Sequence, residues 1–195
     1  MKLKDLVEKN RSYRRFARHD QVSAETLRSL AGMAGKSASA QNLQPLAYII
    51  VHTPEGTDRV FPHLKWAGYL KDWDGPGPDE QPPAYIIALH DTTVHTAPHL
   101  LWCDLGLACQ NILLGAVEQG LGGCLIGSAD RKALGAALSI DPRYEILLVI
   151  ALGKPAETVV LDEIEQGGDI RYYRDSSGIH HVQSHQGPLF RRVSP

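Results

Sequence analysis

The segment "APHLLWCDLGLACQNILLGAVEQG" at residues 97–120 is the longest periodic stretch of the chain and is apolar around almost its whole circumference. A helix that is apolar on every side is typical of a protein interior rather than a protein surface. Gly120 stands where a helix C-cap is expected. The segment therefore predicts a buried central helix.

Three short apolar runs predict buried strands on either side of this helix in the chain. They are "YIIV" at 48–51, "AYIIALH" at 84–90 and "EILLVIALG" at 145–153. Because these runs are continuously apolar, both faces of their sheet are expected to be covered. Further helices are predicted at about 2–9, 24–35, 56–64 and 130–138. Ser23 and Asp130 are the expected N-cap residues of two of them. The alternation of strands and helices predicts a sheet between helical layers.

The length of the chain favours one domain. With 195 residues and 43% hydrophobic composition, it can build one substantial core, so a single domain over 1–195 is expected. The segment "IRYYRDSSGIHHVQ" at 170–183 predicts a hairpin. The tail over about 160–195 is expected to reach over a partner subunit, which suggests a homodimer.

Charge and composition narrow the possible partners. A formal net charge of −2 gives no overall attraction for nucleic acid. The opening segment "MKLKDLVEKN" indicates an amphipathic helix rather than a signal peptide. Adjacent His180 and His181 point to opposite faces of a strand and do not suggest a shared metal ion. We expect a cytoplasmic protein without a metal and with neither nucleic acid nor membrane as its partner.

The segment "NRSYRRFARHD" at 10–20 places several arginines around a serine after the first predicted helix. The residues concerned are Arg11, Ser12, Arg14, Arg15 and Arg18. Forked guanidinium donors match phosphate oxygens, and a serine hydroxyl with backbone N–H groups can complete an anion site. The alternative is a solvated, charged connection between helix and loop.

The segment "GLGGCLIGS" at 120–128 is rich in glycine and predicts a short strand or loop. Glycine lets a backbone approach a planar ligand closely, with N–H groups free to face it. The spacing matches neither the dinucleotide-binding fingerprint nor the phosphate-binding loop of nucleotide hydrolases. Taken alone, the segment is also explained by a helix C-cap followed by a turn.

The segment "SASAQNLQP" at 37–45 places amide side chains directly before a predicted strand. Asn42 and Gln44 are spaced two apart, Ser39 precedes them, and Pro45 fixes the entry into the strand. Side-chain amides offer both donors and acceptors, which suits recognition of a heterocycle edge that also presents both.

The order of these segments is more specific than any one of them. Arg-Ser-x-Arg-x-Phe at 11–16, Ser-x-x-Asn-x-Gln-Pro at 39–45 and the long apolar helix closing in Gly-Leu-Gly and "IGS" resemble the FMN-dependent nitroreductase family. The resemblance covers about 2–185. It implies an α+β fold with a mixed sheet sandwiched between helices. It also implies an intertwined homodimer with two FMN sites at the subunit interface.

The resemblance implies cations for the phosphate end of FMN. Arg11, Ser12 and Arg14 match the segment of the family that holds the phosphate and reaches toward the ribityl chain and the N1/O2 side of the ring. Arg14 is the best candidate for positive charge near N1. Lys65, in "KWAGYL", is a second candidate.

The resemblance also implies which residues meet the flavin ring. Ser39, Asn42 and Gln44 match the loop that contacts the isoalloxazine, usually from the other subunit. The backbone of Gly127 and Ser128 matches the pair that faces N5 and O4. No side-chain acid or base is required, because the cofactor carries the chemistry.

The activity implied by the resemblance is hydride transfer from NAD(P)H to flavin N5, followed by reduction of a nitroaromatic, a quinone or a similar small aromatic acceptor in a ping-pong scheme. One alternative is a flavin-binding or sensory module without significant turnover. Another is a relative with flavin-cleaving or dehalogenating chemistry.

The chain departs from the family where cations are usual. Asn10 stands in place of an arginine, and Ser184 and His185 stand where lysine and arginine commonly follow. We expect FMN to bind, with Arg191 or Arg192 compensating for the lost charge.

The segment 65–83 contains Trp66, Tyr69 and Trp73, which can stack on or wall off an aromatic acceptor. An ordered surface lid that packs on its own core is the alternative.

Overall fold

A computed structural model describes residues 1–165 and 167–185 of the chain. The helices are α1 (Leu3–Lys9), α2 (Ala24–Ala34), α3 (Pro54–Val60), α4 (Pro98–Glu118) and α5 (Arg131–Ala137). The strands are β1 (Leu46–Val51), β2 (Ala84–Asp91), β3 (Gly122–Ile126), β4 (Tyr144–Gly153), β5 (Val159–Ile164), β6 (Tyr173–Arg174) and β7 (His180–His185). Short 3-10 helices lie at Ala40–Asn42, Phe61–His63 and Pro78–Glu80. The predicted helices and core strands are confirmed, with ends shifted by a few residues.

The main sheet has four strands in the order β1-β2-β4-β3, and each neighbouring pair is antiparallel. Ile87 of β2 is aligned with Ile49 of β1 on one side and with Val149 of β4 on the other. The pairing of β2 with β4 shifts between Ala88 and Leu89. The sheet thus places the most continuously apolar strands at its centre.

A second sheet has the order β5-β7-β6. The antiparallel pair of β6 and β7 confirms the hairpin predicted in the tail. β5 was not predicted, and it pairs with β7 in parallel. Mixed strand directions therefore occur in this small sheet, whereas the main sheet is antiparallel throughout.

Each face of the main sheet carries its own core. Ile86 packs with residues of α2 and α4, such as Leu30 and Ile112. Its neighbour Ile87 packs on the opposite side, in a cluster that includes Phe16. Alternate residues of a strand point to opposite faces, and each fully buried side chain of this size contributes about 1.5–3 kcal/mol. Burial on both faces of the sheet explains why the sequences of these strands are continuously apolar.

The helix α4 ends as its sequence predicts. Gly120 has φ +75°, and the N–H of Leu121 donates to the carbonyl of Ala116 at 2.8 Å. This is the Schellman arrangement, in which a residue in the left-handed region closes a helix. The N-caps are confirmed as well, since Ser23 accepts from Thr26 and Asp130 accepts from Ala133, each at 3.0 Å.

Among the described residues, α4 is also the one helix long and apolar enough to cross a membrane by length and composition alone. Of its most apolar 18-residue window, 56% is buried inside the structure. The core helix of a globular protein meets the same criteria, and α4 packs between α2 and the main sheet.

Candidate functional site

A cavity of about 430 Å³ lies at the end of β3. Its lining includes Arg14, Lys65, Gly127, Ser128 and Tyr172. Sites for small organic molecules typically have volumes of ~300–1,000 Å³. The structure therefore brings together a predicted phosphate-binding arginine, the second predicted cation and the predicted backbone pair.

The segment 10–18 reaches this cavity because it runs beside β3. Ser12 forms a parallel bridge with Gly123. A Cβ atom on Gly122 would lie 2.5 Å from the ring of Tyr13, so the absence of a side chain at this position admits the tyrosine. Glycine in this segment thus allows close packing of the chain on itself.

The backbone at Gly127 and Ser128 is held by two neighbours. Nη2 of Arg131 donates to the carbonyls of Gly127 and Leu147, each at 3.0 Å, and the N–H of Lys65 donates to the carbonyl of Ser128 at 2.9 Å. In a trans peptide the N–H points opposite to the C=O, so the N–H of Ser128 is directed away from Arg131. A Cβ atom on Gly127 would meet nothing within 4 Å. A flat ligand therefore has room to approach this peptide.

The guanidinium of Arg14 is already in contact with the tail of its own chain. It lies 4.6 Å from the centre of the Tyr172 ring, and its Nη1 donates to Nε2 of His180 at 3.0 Å. Because arginine only donates, Nε2 of His180 accepts and the ring is neutral. Burial, together with the nearby charge of Arg14, lowers the pKa of His180 to about 4.

Glu157 fixes the tail to the same segment. Its side chain is only 1% exposed. It accepts the backbone N–H groups of Arg14 and Arg15, and it pairs with Arg174 at 2.7 Å. These contacts hold the backbone beside the cavity through a buried carboxylate.

The aromatic residues of the segment 65–83 have different roles. Trp66 lines the cavity and lies 6.0 Å from the ring of Phe61, and its indole N–H has no hydrogen-bond partner among the described residues. Tyr69 packs on Tyr172 with ring centres 4.9 Å apart. Trp73 lies near two guanidinium groups, at 4.7 and 5.9 Å. Trp66 thus fits the wall interpretation, and Trp73 fits that of a lid packed on its own chain.

A second cavity, of about 210 Å³, lies on the other face of the sheet, next to α2 and α4. Ser39 and Gln44 line it, together with Tyr48 and Asp104. The Oγ of Ser39 donates to Asp104 at 2.6 Å. In a single chain, the predicted ring-binding loop is therefore separate from the cavity at β3.

The remaining predicted residues line neither of these cavities. Arg11 donates to the carbonyls of Val7 and Asn10 at the end of α1, at 2.8 and 2.6 Å. Ser12 and Asn42 are exposed. The compensating cations considered in the tail, Arg191 and Arg192, lie outside the described residues.

Sequence reasoning missed Tyr172, His180 and Asp104. Both Tyr172 and His180 lie in the tail segment predicted as a hairpin, but no role in the site was predicted for Tyr172, and the histidine was weighed only as a metal ligand. Asp104 did carry a signal, because it is a carboxylate in the middle of an otherwise apolar segment. Buried carboxylates require hydrogen bonds, so its position predicts a polar partner next to the helix.

The fold and site together define a class of protein. It is an α+β domain in which two helical layers enclose a sheet and a cationic cavity opens at the end of one edge strand. A family model described as "Nitroreductase family" matches residues 7–154. The chain belongs to the nitroreductase family.

Solved structures with the same fold agree with this assignment. A candidate nitroreductase of Desulfovibrio desulfuricans, in complex with FMN, is 25% identical with a TM-score of 0.64, over 78% of this chain and 86% of that chain. An FMN-dependent nitroreductase of Clostridium difficile R20291 is 21% identical with a TM-score of 0.59, over 78% and 87%. A candidate NADH oxidase of Clostridium acetobutylicum is 23% identical with a TM-score of 0.63, over 79% and 89%.

Proposed function

We propose that this protein is an FMN-dependent oxidoreductase that takes a hydride from NAD(P)H and reduces a nitroaromatic, a quinone or a similar acceptor in a ping-pong scheme. The observation that carries the proposal is the cavity at β3, where Arg14 and Lys65 share one lining with the Gly127–Ser128 peptide. The FMN named for two of the structural neighbours supports the choice of cofactor.

The residues of the cavity fit FMN in their chemistry. The cationic side chains of Arg14 and Lys65 suit an anionic group, and arginine in particular matches phosphate with a planar fork of donors. The open space beside Gly127 suits a flat ring. Arg11 and Ser12 remain proposed contributors from the same segment, although Arg11 would have to give up its two carbonyl acceptors.

Bound in this cavity between Arg14, Lys65 and the Gly127–Ser128 peptide, FMN would supply the hydride acceptor and the electron carrier for the second substrate. The chain supplies binding and orientation. Arg131 holds the Gly127–Ser128 peptide, and the N–H of Lys65 holds the peptide that follows it, so that the N–H of Ser128 is presented in a fixed direction. Trp66 forms part of one wall of the cavity.

We further propose a homodimer that uses the exposed apolar face of α1 and α4. Trp102 is 52% exposed and Leu107 is 46% exposed on α4, and Leu3 is 66% exposed on α1. Large apolar side chains exposed on two neighbouring helices are typical of an interaction surface. In the dimer, Ser39, Asn42 and Gln44 of one chain would face the ring bound to its partner. This arrangement would explain why the ring-binding loop and the cavity at β3 are separate within one chain.

A flavin-binding module without significant turnover is the second candidate. The specific observation in its favour is that Tyr172 and His180 already engage the guanidinium of Arg14. A ligand phosphate must either displace these contacts or bind the guanidinium alongside them. Flavin-cleaving or dehalogenating chemistry is a further variant of the enzymatic proposal, and it uses the same cavity.

Anaerobic spectroscopy separates these candidates. The FMN-loaded protein is mixed with NADH or NADPH, and the flavin absorbance is followed before and after addition of a nitroarene or a quinone. Bleaching by the nucleotide and recovery with the acceptor support the oxidoreductase. A coloured protein that is not bleached by either nucleotide supports the binding module and contradicts the proposed activity.

A further inference from the structure

The loop that follows α2 has an unusual backbone. Gln41, Asn42 and Gln44 have φ values of +52°, +55° and +52°, in the left-handed region. Residues other than glycine rarely adopt this region, and they remain in it only when surrounding contacts enforce it. Three such residues within four positions require a strong local anchor.

The anchor is the carboxylate of Asp104 on α4. Asp104 is only 3% exposed. The Oγ of Ser39 donates to Oδ2 at 2.6 Å, and the N–H of Ala40 donates to Oδ1 at 3.0 Å and to Oδ2 at 3.2 Å. The first two residues of the loop are therefore bound to one buried carboxylate.

The same contacts extend to the far end of the loop. The hydroxyl of Ser39, whose proton goes to Asp104, accepts the N–H of Gln44 at 2.9 Å. The amide Nε2 of Gln44 in turn donates to the carbonyl of Asn42 at 3.3 Å. A continuous set of hydrogen bonds thus runs from α4 through Ser39 to Gln44 and on to the backbone of Asn42.

The part of α4 that carries Asp104 is tightly packed. Leu105, which follows Asp104 in the helix, is 1% exposed, and Ala108, one turn further on, is also 1% exposed, so this part of α4 is buried in the core. Among the described residues, no cation pairs with Asp104. The hydrogen-bond donors to its carboxyl oxygens come from the loop itself, and removal of this group therefore acts directly on the loop.

We propose that Asp104 is a positioning residue that orders the loop 39–44 and thereby sets the amide side chains of Asn42 and Gln44 for contact with the flavin ring. This inference rests on the proposed FMN-binding function. It also changes the role of Ser39. The hydroxyl of Ser39 links Asp104 to Gln44, and this link, rather than a direct contact with the cofactor, is its main role.

The test compares Asp104→Ala and Ser39→Ala with the matched variant Asn111→Ala. Asn111 also lies on α4 and donates to Ser37 at 2.8 Å, just before the loop, so its truncation removes a similar hydrogen bond without touching residues 39–44. Asp104→Asn keeps one acceptor for the N–H of Ala40 and is expected to restore part of any loss.

Two quantities are measured for each variant. The first is amide hydrogen exchange at Ala40 and Gln44 in the protein without flavin. We expect it to be at least tenfold faster in Asp104→Ala and Ser39→Ala than in Asn111→Ala. The second is the Kd for FMN, which we expect to rise at least tenfold in the same two variants and less than threefold in Asn111→Ala.

The outcomes separate the inference from the function on which it rests. If the wild-type chain binds FMN and Asp104→Ala binds it equally well, the positioning role is overturned and the proposed function stands. If the wild-type chain binds no FMN, the proposed function and the inferred role toward the ring both fail. Unchanged exchange at Ala40 and Gln44 overturns the ordering of the loop in either case.

Discussion

Arg14 is the single residue on which the proposed site depends most. It lines the cavity at β3, and its guanidinium lies between Tyr172 and the carbonyl of Ser12. Arg14→Gln removes the charge and keeps a polar side chain. Loss of a charge-assisted hydrogen bond costs about 1.5–3 kcal/mol, so the Kd for FMN is expected to rise by about one to two orders of magnitude.

Fluorescence titration with FMN measures this change. Arg28→Gln is the matched control, because Arg28 is exposed on α2 and has the same charge. Equal FMN affinity of Arg14→Gln and wild type would contradict the assignment of Arg14 to the cofactor site.

Arg131 offers a second prediction at the scale of one residue. Arg131→Met leaves the carbonyls of Gly127 and Leu147 without their guanidinium donor, which is expected to lower the free energy of unfolding by about 1–3 kcal/mol. The visible spectrum of bound FMN is expected to shift, because the Ser128 N–H is no longer held in one direction. Chemical denaturation and absorbance measure the two effects.

The control is Lys132→Met, on the exposed side of the same helix, which should show neither effect. A spectrum identical to wild type in Arg131→Met would contradict the positioning of this peptide.

The residues of the site were only partly predictable from the sequence. Arg14, Lys65, Gly127 and Ser128 meet in one cavity as the resemblance implies. Motifs indicate which residue types belong to a site, but they do not indicate which of their donors are already used within the fold. The hydroxyl of Ser39 is such a case, because it is bound to a buried carboxylate.

At the scale of elements, local signals predicted the fold well. The apolar periodicity of α4, its glycine C-cap and the N-cap of α2 at Ser23 are each encoded within a few residues of the element that they define. β5 escaped prediction because only part of each side is buried, and its partner β7 lies about twenty residues further on. A parallel pairing of this kind depends on contacts distant in sequence, which a local pattern does not contain.

The exposed face of α4 yields a prediction about assembly. Trp102→Glu places a charge in the proposed apolar interface, and we expect it to shift the protein from dimer toward monomer. Light scattering after size-exclusion chromatography measures the mass. Arg28→Glu on the exposed side of α2 adds the same carboxylate outside that face and should leave the dimer intact. A wild-type chain that is monomeric at high concentration, or a dimer unaffected by Trp102→Glu, would contradict the proposed interface.

At the scale of the whole molecule, two adjacent histidines of the tail are expected to make the stability of the fold depend on pH. His180 is fully buried, and burial lowers its pKa to about 4. A lowered pKa means that the folded state disfavours the charged ring, so stability falls as the pH drops below about 6.5 toward 4. We expect the His180→Gln variant to lose this dependence, with a flatter free energy of unfolding between pH 6.5 and 4 than wild type. Urea denaturation across this range measures it, and equal slopes would contradict the buried neutral state.

His181 is expected to act in the opposite direction. Its Nδ1 lies 2.9 Å from Asp162, and this hydrogen bond, assisted by a weaker one to Asp175 at 3.4 Å, raises the pKa of His181. The stabilisation is therefore complete below about pH 6.5 and is lost as the pH rises through the raised pKa. His181→Gln should reduce stability mainly on the acidic side of this transition. The same urea series measures the effect, and a loss confined to alkaline pH would be inconsistent with it.

The central claim is that the cavity at the end of β3 binds FMN, and quenching of FMN fluorescence by the purified chain at low ionic strength tests it most directly. We predict saturable quenching with one FMN per chain and a Kd in the micromolar range or below. Fluorescence that remains unquenched up to millimolar protein would contradict the account.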